Sequence, residues 1–599
     1  MNNPTMIKER IERMRQVMKA QNVQAYIIPG GDAHLGEYVP ERWTGRRYMS
    51  GFTGSAGTVV ITADKAGLWT DSRYFLQGAE QIQGSGLELY KEEIPGFPTI
   101  EEFFVQELKK GERVAIDPQC YSWAAAQELE GYLHNFEIEL VYSDLLDLVW
   151  TDRPQVPRNP FFEHPEKFAG EKTSLRLERI RKAIAAKGAN ATLITMLDEL
   201  CWAFNIRGND VDFNPVGVGF GYIGSDKAIL FAYAEKVPEP LKRTLQQEGI
   251  EVQDYETYPE FLRTLGREER KIFVDRKRTS MLAYLCLSGQ KASFVFGDSV
   301  ITHMKSIKNE AEIAGVKRSM IRDGVALTRF FMWLEKALNS NEQVTEYSAG
   351  EKLTQFRAQQ ESYVCDSFDT ICGYKGNGAI VHYRAQEDTA NVLEPRGILL
   401  VDSGAQYLDG TTDITRTIAL GQVTDQQKQD YTLVLKGHID LATAQFPQGT
   451  RGNQLDILAR KALWDRGLHY GHGTGHGVGV FMNVHEGPQN FRMDNNPTPM
   501  SLHTFTSNEP GLYRAGMYGI RIENLVLTVE KSQTEFASFY GFETLTMCYL
   551  DNNLVDKKLL TLQEIEWYNN YQRQVYETLS PALNNEERAW LYNKTAPLV

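Results

Sequence analysis

The sequence predicts a mixed fold of the α/β and α+β classes, in which two similar α/β domains precede a third domain of helices and hairpins. Three observations support this prediction. The chain has 599 residues, more than a single hydrophobic core accommodates. Its first half alternates short β-type runs with helical patterns, and this series occurs twice. Its second half begins with long amphipathic helices and continues into glycine-rich hairpins.

The first predicted domain, residues 1–155, is an α/β unit. It opens on a charged amphipathic helix that lacks the apolar stretch of a secretory signal. The segments AYIIP, GTVVIT, GLWTD and RVAID are typical of strands that alternate with polar helices. A proline-rich run, WTDRPQVPRNP, follows at residues 150–160. Because proline continues neither a helix nor a central strand, this run marks a domain boundary.

The second predicted domain, residues 156–303, repeats the pattern of the first. ATLITMLDELCWAFNIRGNDV and then SDKAILFA parallel AYIIPGGDAHLGEY with RRYMSGFTGS and then ADKAGLWTD. In both series a β-type run leads to an aromatic-rich helix, a glycine-containing loop and an antiparallel pair of strands. We infer a divergent duplication, and the alternative is a chance similarity of two α/β units.

The third predicted domain, residues 304–599, contains all the unusual chemistry of the chain. It starts with KSIKNEAEIAGVKRSMIRDGVALTRFFMWLEKAL, which carries apolar residues at helical spacing. Two long helices of this kind precede the hairpin-rich segment. From about Asp556 the pattern is helical again, so a helical extension is predicted to end the chain.

Composition excludes several classes of protein. A net charge of −14 leaves no basic surplus for binding nucleic-acid phosphates. No stretch approaches the roughly 18 apolar residues that a membrane span needs. The six cysteines lack CxxC spacing, so neither a zinc knuckle nor a disulfide framework is indicated. We therefore expect a cytoplasmic protein that binds neither nucleic acid nor membranes.

Four carboxylates and one imidazole in the third domain form the candidate metal site. They lie in VDSGAQYLDGTTDITRT (401–417), YGHGTGHGVGVFMNVHEGP (470–488), SNEPGLY (507–513) and GIRIEN (519–524). The five residues are Asp402, Asp413, His476, Glu509 and Glu523. Several hard oxygen donors with one nitrogen donor suit two divalent ions such as manganese or zinc. Two such ions can clamp and acidify a water molecule, so hydrolysis is the leading hypothesis.

The first two carboxylates are predicted to lie on neighbouring strands of one hairpin. ILLVDSGAQY and DITRTIAL flank Asp409-Gly410, which is a strong two-residue turn signal. A simple register leaves Asp402 and Asp413 offset, so we expect a β-bulge to bring them together. Taken alone, Asp402 could equally be a turn residue and Asp413 a hydrogen-bonded strand end.

Three histidines, at 472, 476 and 485, occur within fourteen residues. The spacing of His472 and His476 resembles a metalloprotease helix with two histidine ligands. The segment is GHGTGHGVG, however, and each internal glycine costs a helix about 1 kcal/mol. A glutamate should also follow the first histidine, where this chain has Gly473. We therefore predict an extended segment in which one imidazole is a ligand and another lies beside it.

The last two carboxylates follow strand-like runs. Glu509 precedes a Pro-Gly turn, and Glu523 lies in the alternating run GIRIENLVLTV. An inward-facing glutamate in a half-apolar strand is costly unless it is paired. Metal binding and a salt bridge with Arg521, on the same face of the strand, would each satisfy it.

Together these segments resemble the pita-bread metallopeptidase superfamily, in the three-domain form of the aminopeptidase P (Xaa-Pro aminopeptidase) family. The resemblance covers essentially the whole chain. It rests on RRYMSGFTGSAGT, WTDSRYFLQ, LDELCWAFNIRGNDV, SFDTICGYKGNGAIVHY, DSGAQYLDGTTDITRT, GHGTGHGVG, NVHEGP, NEPGLY and GIRIEN. It implies two creatinase-like N-terminal α/β domains followed by a C-terminal pita-bread catalytic domain.

The resemblance also implies a role for each ligand. Asp402 would chelate one metal ion, and His476 and Glu509 would bind the other, while Asp413 and Glu523 would bridge both. Two divalent ions per chain are therefore expected, with manganese first and zinc or cobalt as alternatives.

Further residues would contact the substrate. His382, in IVHY, would lie beside it and help to shuttle protons, and His485 would contact its carbonyl group. His472 would line the pocket next to His476. Arg73, in TDSRYF, would reach toward the substrate, and its alternative role is a surface or inter-domain salt bridge.

The implied activity is that of a metalloaminopeptidase that releases the N-terminal residue from peptides with proline in the second position. A hydroxide bound by both metals would attack the first peptide carbonyl, with Glu509 taking up its proton. A homodimer is implied as well. Two alternatives stay open, a prolidase restricted to Xaa-Pro dipeptides and a catalytically inactive peptide-binding or chaperone module.

Overall fold

The computed structural model describes residues 3–289 and 291–599, and these fall into two compact units. The first unit comprises residues up to 165 together with 171–301, and the second comprises residues 166–170 and 302–599. Among the described residues, no helix has both the length and the apolar character that crossing a membrane requires.

A six-stranded mixed sheet forms the first part of the first unit. Its strands, in spatial order, are Glu88–Lys91, Ala66–Thr70, Thr58–Thr62, Ala25–Ile28, Arg113–Ile116 and Glu139–Tyr142. Its helices are Pro4–Ala20, Gly45–Ser50, Phe75–Gln81, Ile100–Glu107, Trp123–His134 and Leu146–Val149. The four strands predicted from sequence are confirmed. So is the amphipathic N-terminal helix, which buries Ile7, Ile11, Met14 and Met18 along one face.

A second six-stranded sheet has the same topology. In spatial order its strands are Ile250–Gln253, Ala228–Phe231, Phe220–Gly224, Ala191–Ile194, Lys271–Val274 and Ser293–Phe296. A two-stranded ribbon pairs Phe162–Glu163 with Ile206–Arg207. The helices are Thr173–Ala186, Leu197–Ala203, Glu239–Gln247, Tyr258–Gly266 and Met281–Leu287. The unit ends within a further helix, Val300–Ser306.

The two sheets agree strand by strand in direction. Ala25–Ile28 and Ala191–Ile194 are each antiparallel to one neighbour and parallel to the other, and each sheet ends in a parallel pair on both sides. This identity of order and direction is what the predicted duplication requires.

The second unit surrounds a set of antiparallel sheets with helices. Its helices are Glu166–Ala169, Glu310–Asn339, Glu346–Ala358, Asp425–Ala442, Gly452–Trp464, Leu562–Leu579 and Asn585–Lys594. Its largest sheet contains, in spatial order, Phe446–Pro447, Ser538–Thr544, Asn524–Gln533, Phe505–Asn508, Gly475–Gly477 and Glu486–Phe491. Smaller sheets contain Tyr363–Asp366, Ala405–Tyr407 and Gly410–Thr411, then Ile371–Tyr374, Ile398–Ser403 and Ile414–Ala419, and finally Gly511–Arg514 and Tyr518–Arg521.

Local sequence explains where the long helix of this unit begins. Asn309 and Glu312 form a capping box, in which each side chain binds the other's backbone N–H group. Phe330 and Leu334 of this helix are buried against strand residues such as Leu399 and Ile520 in one extensive hydrophobic core. That core supports the back of the sheets whose opposite faces carry the candidate ligands.

Candidate metal centre

Asp402 and Asp413 lie on one face of a hairpin whose two ladders keep the same register on either side of a short interruption at Gly404 and Asp413. Asp402 pairs with Thr415 in the ladder between Ile398–Ser403 and Ile414–Ala419. Tyr407 pairs with Gly410 nearer the turn. Counting outward from this pair, residue by residue on each strand, leads to Asp402 opposite Thr415, so both ladders share one register. Residues offset by two positions share a face, and the two carboxylates are therefore diagonal neighbours.

Two details of the predicted hairpin are corrected by this register. The turn consists of Leu408 and Asp409, one residue earlier than the predicted Asp409-Gly410. The expected β-bulge is also wrong, because a diagonal pair on one face needs none. The same register places Gly404 across from Asp413, and a Cβ atom there would lie 2.0 Å from the Thr412 carbonyl oxygen. Glycine at 404 thus lets the two strands approach beside the acidic pair.

His476 occupies the centre of the short strand Gly475–Gly477, which confirms the prediction of an extended segment. Its Nδ1 lies 2.8 Å from the carbonyl oxygen of Gly477. Because a carbonyl only accepts, Nδ1 carries a hydrogen, and Nε2 faces the carboxylates. Nε2 is 3.5 Å from Asp413 and 3.4 Å from Glu509. This is the orientation expected of a metal-binding imidazole whose other nitrogen is held by the backbone.

The two glutamates enter the same site from neighbouring segments. Glu509 follows the strand Phe505–Asn508, and the hydroxyl group of Ser507 donates to its Oε1 over 3.0 Å. Glu523 lies between two strands, and its Oε2 accepts a 2.8 Å hydrogen bond from the Thr415 hydroxyl group. Ligand atoms of Asp413, His476 and Glu523 all lie within 4.8 Å of one another.

The electrostatics of the cluster favour cation binding. Burial raises the pKa of the Asp402 carboxyl group to about 6, despite the opposing effect of Arg521. Burial and the charges of Asp413 and Glu509 raise the pKa of Glu523 well above its usual value. Burial lowers the pKa of His476, but the surrounding carboxylates outweigh that effect and raise it to about 9. Positive charge is therefore stabilised here, and crowded negative charge is not.

An unpaired oxygen gives a second reason to assign this site to divalent metal ions. Oδ1 of Asp402 is buried and has no hydrogen-bond partner among the described residues. Buried carboxylate oxygens are normally paired or bound to a metal. The donor set of carboxylates and one imidazole also suits divalent ions of intermediate hardness. The residues present therefore fit the two metal ions that the sequence led us to expect.

A series of hydrogen-bonded polar groups extends from the cluster through Arg521 and Tyr513 to His472. The Arg521 guanidinium group donates to Asp402 over 2.5 Å and to the hydroxyl group of Tyr513 over 2.6 Å. That hydroxyl group is 2.8 Å from Nε2 of His472. Arg521, considered as a salt-bridge partner of Glu523, pairs with Asp402 instead, and the Glu523 carboxylate accepts a hydrogen bond from Thr415.

The remaining predicted residues take different positions. The imidazole of His485 lies edge-on to that of His476, with 4.3 Å between ring centroids. Val381, the residue before His382, accepts a 3.3 Å hydrogen bond from Arg521, which links the His382 segment to the cluster. Within the first unit, the Arg73 fork binds both carboxylate oxygens of Asp71, at 2.9 and 2.6 Å. The substrate-binding role of Arg73 stays a prediction.

The sequence analysis missed the hydroxyl groups that orient the ligands. Thr415 donates to Glu523 and accepts a 3.1 Å hydrogen bond from Nε of Arg521, and Ser507 orients Glu509. The alternation of Asp413, Thr415 and Thr417 in DITRT was the available signal, because it places three polar side chains on one buried face.

Comparison with known proteins follows the same division of the chain. Residues 314–530 match the profile of metallopeptidase family M24, and residues 538–598 match the C-terminal region of that peptidase family. The creatinase/prolidase N-terminal domain matches twice, at residues 10–146 and 152–312. The two matches agree with the repeat that the sequence and the two sheets indicate.

Several relatives are similar over nearly their full length. Aminopeptidase P2 of Arabidopsis thaliana is 39% identical, with 99% of this chain and 89% of that protein aligned. Xaa-Pro aminopeptidase 1 of Dictyostelium discoideum is 38% identical, over 99% of this chain and 97% of that protein.

Solved structures give the same picture. The X-prolyl aminopeptidase of Caenorhabditis elegans, described as a cytosolic enzyme with a di-nuclear active site, superposes with a TM-score of 0.95 at 31% identity, covering 100% of both chains. A Bacillus anthracis Xaa-Pro dipeptidase at 23% identity and a TM-score of 0.50 covers 63% of this chain and 98% of its own, and it indicates the fold alone. The chain therefore belongs to the Xaa-Pro aminopeptidase family of M24 metallopeptidases, and it is a metalloaminopeptidase.

Proposed function

We propose that the protein releases the N-terminal residue from peptides that carry proline in the second position, and that it uses two divalent metal ions. One observation carries this proposal. Four carboxylates, three of them buried and Glu509 partly exposed, lie in one cluster with His476, whose Nε2 faces Asp413 and Glu509, within a chain that matches Xaa-Pro aminopeptidases from end to end. Such a concentration of buried negative charge is costly unless cations neutralise it.

Each ligand has a proposed place. Asp402 would hold one ion, His476 and Glu509 would hold the other, and Asp413 and Glu523 would bridge the two. When bound, divalent ions supply Lewis acidity, which lowers the pKa of a water molecule and polarises a carbonyl group. Manganese is our first assignment, and zinc or cobalt would suit the same donors.

Glu509 is the proposed acceptor of the proton that the attacking water loses. Ser507 donates to Oε1 of Glu509 and so fixes the orientation of the carboxylate. Burial raises the pKa of Glu509, which brings its proton affinity closer to that needed for a general base at neutral pH. The carboxylate is thus both oriented and more basic than an ordinary glutamate.

Two imidazoles would act on the substrate. His485, next to His476, would donate a hydrogen bond to the carbonyl oxygen as negative charge develops there, an interaction that is often worth about 3 kcal/mol of barrier. His382 would protonate the departing proline nitrogen, a step that suits an imidazole with a pKa near neutrality. His472 would line the pocket, and Arg73 would contact more distant parts of the peptide.

The selectivity of the site has a simple chemical basis. A free α-amine would be anchored among the carboxylates, so that cleavage stops after one residue. Proline has no N–H group at the scissile bond, and the subsite for it can therefore be apolar. We propose that the segments SFDTI and IVHY contribute this apolar surface.

The rival proposals make different predictions about substrates. A prolidase cleaves Xaa-Pro dipeptides and leaves Arg-Pro-Pro and longer peptides intact, whereas we expect hydrolysis of both tripeptides and longer peptides. An inactive binding module would cleave none of them. The relatives of this family and the presence of all five candidate ligands favour the aminopeptidase. A cytoplasmic homodimer is part of the proposal, and the description of the C. elegans enzyme as cytosolic supports its location.

The proposal is tested by metal analysis combined with an Xaa-Pro peptide assay on the wild type and on Asp413→Ala. We expect about two ions per wild-type chain, and loss of both metal and turnover in the variant. Asp551→Asn is the control, because Asp551 is similarly buried in the same unit and accepts hydrogen bonds from the backbone of Ala419 and Asn553. Unchanged hydrolysis by Asp413→Ala would contradict the assignment of this bridging ligand.

A further inference from the structure

A buried guanidinium group lies directly behind the proposed bridging ligand Glu523. Arg416 follows Thr415 on the strand Ile414–Ala419, and only 1% of it is exposed. Its side chain therefore projects from the face opposite to that of Asp413 and Thr415. The group takes no part in the chemistry proposed above, so its burial needs a separate explanation.

The Arg416 charge is held by neutral groups alone. Among the described residues, its hydrogen-bond acceptors are backbone carbonyl groups, one amide and one hydroxyl group. They are the carbonyl oxygens of Thr415, Glu523, Cys548 and Tyr549, Oδ1 of Asn524 and the hydroxyl oxygen of Tyr571. A buried cation without a carboxylate partner is costly, and its orientation is fixed by the complete set of acceptors. Because the guanidinium group is planar and rigid, fixing its plane also fixes the direction of its N–H groups toward each acceptor.

Two of these contacts fix the backbone at the bridging ligand. Nη1 of Arg416 donates to the carbonyl oxygen of Glu523 over 2.6 Å, and Nη2 donates to the side chain of Asn524 over 2.8 Å. On the other side, the N–H group of Glu523 donates to the Thr415 carbonyl oxygen. The backbone of Glu523 is thereby held at both ends, and its carboxylate is left to bind Thr415 and to face the cluster.

The C-terminal region supplies the rest of the support. Nη2 of Arg416 also donates to the hydroxyl group of Tyr571, at 2.8 Å, in the helix Leu562–Leu579. That hydroxyl group in turn can donate its single hydrogen to the carbonyl oxygen of Thr546 or of Cys548, each 2.9 Å away. Tyr571, on a helix of the C-terminal region, is thus linked to the Glu523 backbone through the Arg416 side chain.

We propose that Tyr571 and Arg416 are positioning residues for Glu523, and that the C-terminal region therefore sets the affinity of the metal centre. This inference rests on the proposed role of Glu523 as a bridging ligand. Groups that orient metal ligands typically change metal affinity about 10- to 100-fold when they are removed. Loss of the Tyr571 hydroxyl group removes one of the acceptors that fix the Arg416 guanidinium group, so Arg416 holds the Glu523 carbonyl oxygen less firmly and the bridging carboxylate is less precisely oriented.

The test compares Tyr571→Phe with Tyr568→Phe in the manganese-loaded full-length protein. Tyr568 lies in the same helix, is fully buried and can donate its single hydrogen to the Leu550 carbonyl oxygen or the Asn552 side chain, and Arg416 is not its hydrogen-bond partner. Both variants lose one buried hydroxyl group, so a purely structural effect would be similar in the two. The measurement is equilibrium dialysis against Mn²⁺ buffers, with bound manganese counted per chain.

We expect Tyr571→Phe to weaken Mn²⁺ binding about tenfold and Tyr568→Phe to leave it within about twofold of the wild type. Arg416→Lys keeps the charge but not the fork, and we expect a loss at least as large as that of Tyr571→Phe. If Arg416→Lys and Tyr571→Phe, each folded by circular dichroism, match Tyr568→Phe, this inference is overturned while the proposed function stands. If the wild type binds none of Mn²⁺, Zn²⁺ and Co²⁺, both are overturned. Should Tyr571→Phe not fold, the comparison of Arg416→Lys with Tyr568→Phe decides alone.

Discussion

At the scale of single residues, the metal centre depends on hydroxyl groups as well as on carboxylates. Thr415 is shared between Glu523 and Arg521, so one small side chain orients a proposed ligand and the cation that pairs with Asp402. A hydrogen bond to a charged group is worth roughly 1.5–3 kcal/mol, more than a neutral one. The geometry of the proposed ligands therefore depends on the residues that form hydrogen bonds with them.

We expect Thr415→Val to lower kcat/KM about tenfold or more, because the shape is kept while Glu523 and Arg521 lose their common partner. Steady-state kinetics on an Xaa-Pro tripeptide measure the effect. Thr432→Val is the control, since Thr432 is also buried but bonds only to Lys428 and Asp556, within the helical layer. Equal losses in the two variants would mean that the effect is general destabilisation.

Residue types and spacing made the five candidate ligands predictable, whereas the supporting roles of Thr415 and Arg416 were not. Asp402, Asp413, His476, Glu509 and Glu523 occur in segments with strong turn and glycine signals. Arg416 and Thr415 occur in the same segments, but nothing local distinguishes an arginine that binds a distant carbonyl group from one on the surface. Their roles depend on contacts separated by more than 100 residues in sequence.

At the scale of secondary-structure elements, one helix end organises the segment that carries His382. Glu346 is the first residue of the helix Glu346–Ala358 and is fully buried. Its carboxylate accepts 2.7 Å hydrogen bonds from the N–H groups of Tyr374 and Asn391, and a 3.0 Å bond from the hydroxyl group of Tyr383. The chain on both sides of His382 is thus tied to one carboxylate, which the helix N-terminus also stabilises.

We expect Glu346→Gln to lower kcat about tenfold with little change in KM, because the amide keeps one oxygen acceptor but places an NH₂ donor against the backbone N–H group of either Tyr374 or Asn391. His382 would then be misplaced during proton transfer more than during binding. Glu351→Gln is the matched control, as Glu351 is exposed on the same helix. A rise in KM alone would contradict the proposed role of the segment.

Elements were predictable to the extent that their patterns are local. Short β-type runs between helical patterns identified four strands of the first sheet, as the structure confirms. The glycine content excluded a helix around His476, and the structure confirms this as well. The hairpin of Asp402 and Asp413 was also predicted, but its turn was placed one residue too late. Turn register depends on backbone dihedral angles that Asp409-Gly410 alone does not determine.

At the scale of the whole molecule, the first unit is built from two repeated sheets, and the second unit contains the candidate metal centre. The family and the fold class were predictable from sequence, because motifs and their order are preserved along the chain. The boundaries at 155 and 303 remain predictions. Contacts inside the first unit could not be foreseen, because they join residues from its two repeats.

One such contact makes the stability of the first unit depend on pH. His34, after the first repeat's central strand, binds the Thr195 carbonyl oxygen and the Tyr255 hydroxyl group of the second repeat, at 2.9 and 3.2 Å. Burial, together with the nearby charge of Lys236, lowers the pKa of His34 to about 3. The folded state therefore keeps His34 neutral, whereas the unfolded chain takes up a proton below about pH 6.5.

We expect His34 to destabilise the unit by about 2 kcal/mol between pH 7 and pH 5, because only the unfolded state binds the extra proton. Urea denaturation of the wild type and of His34→Gln at both pH values measures this, and the variant should lack that part of the decrease. Asp32 nearby, whose pKa burial raises to about 6, titrates in both proteins and cancels in the comparison. His134→Gln, at an exposed helix end, is the control.

The hairpin that carries Asp402 and Asp413 has a consequence for how the protein loses activity. Asp402 is proposed to hold one ion and Asp413 to bridge both, and the two residues stand on strands joined by a two-residue turn. Any local opening or proteolytic nick that separates these strands would withdraw a ligand from each ion at the same moment. Inactivation by such damage should therefore pass directly from fully loaded to empty molecules, and a preparation with half its manganese should be a mixture of the two.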